Sequence, residues 1–175
     1  LCHAVCQTTG NSRTRRRFEQ SREVLFLRKR LLWIRDRVQY EDEKPFTAGP
    51  LWHVRKVLSR GENWVVAEAE SKLLIYFLPK PGAVCDVAEW EDTDVRLQSA
   101  RFNRYTFFQR STTESQKDDC FDTLLIPLQE DEEPESIISS IHITHDADGG
   151  AIAIEIESER LVLDPIDPDS ENKVG

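Results

Sequence analysis

His53 stands beside Trp52 and close to the cations Arg55 and Lys56, in a chain with only four histidines. An imidazole in that setting can act as a general base, a metal ligand or a donor that neutralises a substrate charge. The same pattern also suits a half-buried strand histidine satisfied by a neighbour. A second cationic group runs through Arg13, Arg15, Arg16, Arg17 and Arg22 into Arg28, Lys29, Arg30, Arg35 and Arg37. Guanidinium groups pair bidentately with carboxylate or sulfate. Strand alternation places Arg35 and Arg37 on one face and Ile34 and Val38 on the other. The plainer use of these arginines is pairing with the chain's own surplus of Asp and Glu. His53, Trp52, Arg35, Arg37 and Arg55 are the candidate cleft or ligand-facing residues, and no residue is assigned a catalytic role.

Two further groupings suggest metals and fall short on spacing. Cys2 and Cys6 would share a helix face, with His3 beside them, but no second Cys/His pair completes a four-ligand set. His142 and His145 sit three apart on an expected strand, so they point to opposite faces unless a bulge or turn re-aims His145. No cofactor is expected. A phosphate-binding glycine loop, a GxSxG elbow and an HExxH helix are all absent. The RNA-binding pattern of aromatics with basic residues is missing as well, and the net charge of −9 opposes a nucleic-acid role.

The elements that must position these side chains read as β-structure. Short runs rich in β-branched and aromatic residues recur at roughly ten-residue intervals between Gly, Pro, Asp and Glu clusters, the pattern of an all-β sandwich or barrel. The expected strands are Arg22–Arg28, Leu31–Val38, Pro50–Leu58, Asn63–Ala69, Lys72–Leu78, Ala83–Trp90, Arg101–Arg110, Cys120–Leu128, Ile137–Thr144, Ala151–Glu157 and Arg160–Leu163. That many strands require an antiparallel sandwich of two or more packed sheets. Hairpins are expected at Arg28-Lys29-Arg30 and at Asp146–Gly150. The polar stretches Ser111–Asp119 and Gln129–Glu135 read as exposed loops. Residues 1–20 form a basic segment leading into, or part of, the first strands; residues 21–163 form the sandwich; residues 164–175 form an acidic flexible tail.

The 175 residues, 39% hydrophobic and 31% charged, suffice for one soluble domain with its own core. No apolar run approaches the roughly 20 residues of a membrane-spanning helix. Four scattered cysteines are too few for a disulfide framework and leave the redox compartment open. Residues 1–60 carry 14 Lys/Arg against 6 Asp/Glu, whereas residues 61–175 carry 9 against 26. Such polarity fits a basic face for a polyanion, and equally two surfaces that face each other within one fold.

Ser21–Val38, followed by Gly49-Pro50-Leu51-Trp52-His53, resembles the β-sandwich part of the heparinase II/III-like polysaccharide lyases. Arg22, Val24 and Phe26 match that family's first strand, Asp36-Arg37-Val38 the end of its second, and Trp52-His53 the strand that follows. Asn63–Leu78 and Thr123-Leu124-Leu125-Ile126-Pro127 fit its order of elements, so the resemblance covers residues 20–128. It implies a sandwich associated with β-elimination of acidic polysaccharides, in which Tyr or His takes the proton beside a uronate carboxylate. It implies further that much of the machinery lies on a helical toroid outside these residues, and that the surroundings are periplasmic or extracellular. His53 matches a family-like histidine facing the cleft. The resulting expectation is an accessory sandwich, inactive alone, with an acidic polysaccharide or a helical catalytic domain as partner and neither nucleic acid nor membrane. Two alternatives stand beside it: a structural or protein-interaction sandwich with no carbohydrate role, and a small metalloenzyme using His53 with His142 or His145.

Overall fold

A computed structural model describes residues 2–11, 17–27, 30–42, 44–89, 105–113, 118–145, 151–156 and 159–162. The chain divides into two compact units, Leu1–Pro134 and Glu135–Gly175. The protein is an all-β fold of antiparallel sheets, with fourteen strands and one short helix among the described residues.

In the first unit, β1 (Cys2–Asn11), β2 (Arg17–Leu27), β3 (Leu31–Tyr40), β6 (Val57–Arg60), β7 (Trp64–Glu68), β8 (Lys72–Phe77) and β11 (Asp118–Leu128) form a seven-stranded sheet ordered β1-β2-β3-β11-β8-β7-β6. A second sheet joins β4 (Phe46–Ala48), β5 (Leu51–Val54) and β9 (Val84–Glu89) to β10 (Tyr105–Thr113), with β4 and β5 on one side of β10 and β9 on the other.

The two sheets pack through Ile34, Val65, Ala67, Ile75, Phe77 and Leu125 of the larger and Val54 and Phe107 of the smaller. Phe77 and Phe107 stack with centroids 4.3 Å apart across this interior. Burying such side chains contributes roughly 1.5–3 kcal/mol each, which is what joins the layers. The alternation of β10 follows from Phe107 onward: Phe107, Gln109 and Ser111 are buried, while Phe108, Arg110 and Thr112 lie toward the other face; Thr106, also on that other face, is buried.

β3 is buried on both sides along its first half. Ile34 faces the sandwich interior, yet Trp33 and Arg35 on the opposite face are equally buried. The large sheet is therefore covered on both faces along its central strands, which is why Leu31–Ile34 is an unbroken apolar run.

Several boundaries differ from those expected: β2 begins at Arg17 rather than Arg22, and β4 is a strand where none was expected. Pro50–Leu58 is two strands, β5 and β6, belonging to different sheets and separated by Arg55 and Lys56. The ends of Ser111–Asp119 are strand, pinned by buried Ser111 and Asp119, with residues 114–117 outside the described set. The start of Ile137–Thr144 is helical: α1 (Pro134–Ser139) carries Pro134 and Glu135 at its start, where a missing N–H and a carboxylate are tolerated or favoured.

In the second unit, β12 (Ile141–His145), β13 (Ala151–Ile156) and β14 (Glu159–Val162) form a three-stranded antiparallel sheet. Both expected hairpins join antiparallel neighbours, β2–β3 and β12–β13. Within their connections, residues 28, 29 and 146–150 lie outside the described set, as do the expected tail at 164–175 and the basic run at 13–16. No described helix is long and apolar enough to cross a membrane.

Candidate functional site

The smaller sheet has an inner face in the core and an outer face that carries His53. Antiparallel pairing sets His53 opposite Thr106, Leu51 opposite Phe108, Phe108 opposite Asp86, and Arg110 opposite Val84. Directly paired residues share a face, so His53, Leu51, Thr106, Phe108, Arg110, Val84 and Asp86 lie together on the outer side. The imidazole Nδ1 of His53 is 2.9 Å from Thr106 Oγ1. The Arg110 guanidinium lies 5.6 Å over the Phe108 ring. One register step beyond, the hydroxyls of Thr47 and Thr112 are 2.9 Å apart and exposed.

Gly49 makes this alignment possible. A Cβ at Gly49 would overlap the Gln109 carbonyl oxygen and come within 2.9 Å of Arg110 Cα. The glycine thus lets the chain between β4 and β5 press against β10, where Gln109 N donates to Pro50 O at 3.1 Å.

The five sequence-derived candidates are not gathered in one place. His53 is exposed on the outer face, and Arg55 is exposed just beyond β5. Trp52 points the opposite way, packed against the core, with the Arg22 guanidinium 5.5 Å over its ring and its buried Nε1 without a hydrogen-bond partner among the described residues. Arg35 and Arg37 lie on the larger sheet.

Arg35, with 4% side-chain exposure, is enclosed beside Asp122: Nε donates to Oδ1 at 2.9 Å and a terminal nitrogen to Oδ2 at 3.2 Å. Trp33 Nε1 donates to the same Oδ1 at 2.8 Å. Burial works to lower the Arg35 pKa, but the Asp122 carboxylate outweighs it and the net direction is upward. The register places Glu23, Arg35 and Asp122 side by side across β2, β3 and β11. Glu23 is buried 3.8 Å from Arg37 Nε. A parallel pair on the interior face joins Arg22 to buried Asp36 at 2.6 and 2.9 Å. With Arg17 beside Glu41 at 3.4 Å, the arginine-rich strands spend four guanidinium groups on the chain's own carboxylates among the described residues, the plainer of the two uses open to them.

Among the described residues no three His, Cys, Asp or Glu side chains gather as a metal set. His142 is exposed on β12, and the register shifts between Thr144 and His145. Cys2, His3 and Cys6 lie on β1, their side chains outside the described set. A pocket of about 370 Å³ near the β7–β8 turn is lined by Leu58, Glu68, Glu70, Lys72, Leu128 and Glu130. Its carboxylates suit no polyanion.

Sequence reasoning missed Phe108, Arg110 and Thr112. The first two fell inside the expected strand Arg101–Arg110, where alternation alone does not say which face is outer, and Thr112 lay past its expected end.

Comparison with known proteins gives no matching family model and no matching curated relative. Among solved structures, the heparan sulfate lyase HepC from Pedobacter heparinus matches at 15% identity and a TM-score of 0.61, covering 92% of this chain and 25% of that one. A mutant of the same lyase matches at 16% identity and a TM-score of 0.60, covering 91% and 25%. The chain spans about a quarter of the length of these structures, and what it shares with them is the fold of a β-sheet portion of a heparan sulfate lyase.

Proposed function

We propose that this chain is the β-sandwich module of a protein of the heparinase II/III-like kind, binding or supporting an acidic polysaccharide and inactive by itself as a lyase. The observation carrying the reading is the fold likeness to a heparan sulfate lyase over 92% of this chain and only a quarter of that one. The outer face of the smaller sheet adds to it, because His53, Arg55 and Arg110 are exposed there or at its border. They can meet a carboxylate or sulfate without first breaking the pairs that hold Arg22 and Arg35.

On this reading the chain is retained on immobilised heparan sulfate at low ionic strength, and the double variant His53→Ala, Arg55→Glu is retained less. Incubated alone with heparan sulfate, alginate or chondroitin, it releases no unsaturated product absorbing in the near ultraviolet. Elution of wild type with the void volume removes the carbohydrate role, and product release removes the accessory one.

A second reading, a protein-interaction sandwich, is favoured by Leu51 and Val84, which are 51% and 54% exposed on that same face. It predicts no glycan retention at any salt.

A further inference from the structure

The even-numbered residues of β10 form a line that neither the sequence motifs nor the fold likeness assigns. Phe108, Arg110 and Thr112 follow one another on the outer face of the smaller sheet, flanked by Leu51 from β5 and by Thr47 from β4, while Thr106 on the same face is buried beneath His53. From Phe108 to Thr112 the strand advances about 14 Å, long enough for a short stretch of oligosaccharide rather than a single small molecule. The line presents a ring, a guanidinium and a hydroxyl. Each type meets a different part of an acidic sugar: hydroxyls its ring oxygens and hydroxyls, the Phe108 face its apolar C–H surface, and Arg110 its carboxylate or sulfate.

Two features show that the arrangement is fixed by the fold. The Arg110 guanidinium rests over Phe108, so less freedom is lost on binding than for a freely rotating side chain. The residue beside it is Gly49, which offers no side chain to cover it. Val84 and Leu51 border the line with exposed apolar surface. One carboxylate opposes the trend: Asp86, paired in register with Phe108, is exposed and lies 3.8 Å from Arg60. Arg60 offsets its charge, leaving Arg110 and Arg55 to set the sign of the surface.

We infer that the outer strip of β10, from Phe108 to Thr112, is a binding surface for an acidic polysaccharide segment, with Phe108 as the stacking platform and Arg110 as the anion-binding group. This rests on the reading of the chain as a glycan-binding sandwich and adds where the glycan lies.

The test compares wild type with Arg110→Glu, Arg110→Gln, Phe108→Ala, His53→Ala with Arg55→Glu, and Arg17→Glu. Arg17 is an exposed arginine of the larger sheet. Binding of heparan sulfate, alginate and neutral dextran oligosaccharides is measured at low salt, with thermal midpoints recorded alongside. The expected result is binding of both acidic glycans and not of dextran. Arg110→Glu and Arg110→Gln weaken it about tenfold or more, Phe108→Ala about threefold, and Arg17→Glu less than about twofold, all at an unchanged midpoint. If Arg110 and Phe108 variants bind like wild type while the His53/Arg55 variant is weakened, the strip is overturned and the broader reading stands. If wild type binds neither acidic glycan, both fall. Should Arg110→Glu fail to fold, Arg110→Gln, which keeps polarity and size, decides the matter.

Discussion

Arg35 and Arg110 look alike in the sequence, and only burial separates their uses. Arg35 is sealed against Asp122 and Trp33, so its charge is spent inside the sheet, whereas Arg110 is exposed over a ring. Removing one member of a buried pair leaves the other without compensation, at a cost of about 3–5 kcal/mol. Asp122→Ala should therefore lower unfolding free energy by that order in urea titration, and an undiminished midpoint would contradict the pairing. Cys120 gives a pH test in the same neighbourhood. Burial pushes its thiol up to about 11 from 9.0, with the Asp122 charge adding and Arg35, Arg37 and Lys80 opposing. The folded state thus holds its proton longer than the unfolded chain. The associated stability is complete below about pH 9 and disappears as pH rises through about 11, a loss of up to about 3 kcal/mol. Cys120→Ala should flatten that alkaline decline, with Tyr76 and Cys85, whose pKa values burial also raises, keeping part of it. Identical pH profiles for the two proteins would refute the assignment.

At the scale of elements, the strands were legible where alternation or an unbroken apolar run was long. Lys72–Phe77 and Leu31–Tyr40 are strands for that reason. The split of residues 50–58 was not legible, because Leu51–Val54 and Val57–Arg60 are both short runs mixing apolar and polar residues, and nothing in them says which sheet receives each. The extension of β10 to Thr113 was hidden for a related reason: Ser and Thr read as loop until the pairing of Ser111 with Ala48 and Thr112 with Thr47 is known. Helix α1, at six residues, is too short to display a period. Gly49 is the element-scale prediction. Its replacement by alanine drives a methyl into the Gln109 carbonyl and forces β4, β5 and β10 apart, costing about 1–3 kcal/mol. The loss should show as a lower thermal midpoint together with weaker glycan binding. A Gly49→Ala protein as stable as wild type would mean that the close approach is not needed.

For the molecule as a whole, net charge misleads about partners. At −9 the chain repels a polyanion at long range, so any attraction must come from a local cationic surface within about a Debye length, roughly 10 Å at 0.1 M salt. Retention on heparan sulfate should accordingly fall steeply between low salt and about 0.5 M, in parallel for sulfated and uronate-only glycans. Salt-independent retention would point instead to apolar association through Leu51 and Val84.

Composition and period determined the fold class, since side chains two residues apart must share a strand face and a run of such strands must bury one face in packed sheets. They also determined that cations crowd the first third of the chain. Which cations remain for a ligand was decided by tertiary structure alone. Pairing Arg35 with Asp122 and Arg22 with Asp36 depends on strands 87 and 14 residues apart in sequence coming into register. The line of Phe108, Arg110 and Thr112 gains meaning only when the pairing of β10 with β4, β5 and β9 shows which of its two faces is left to solvent.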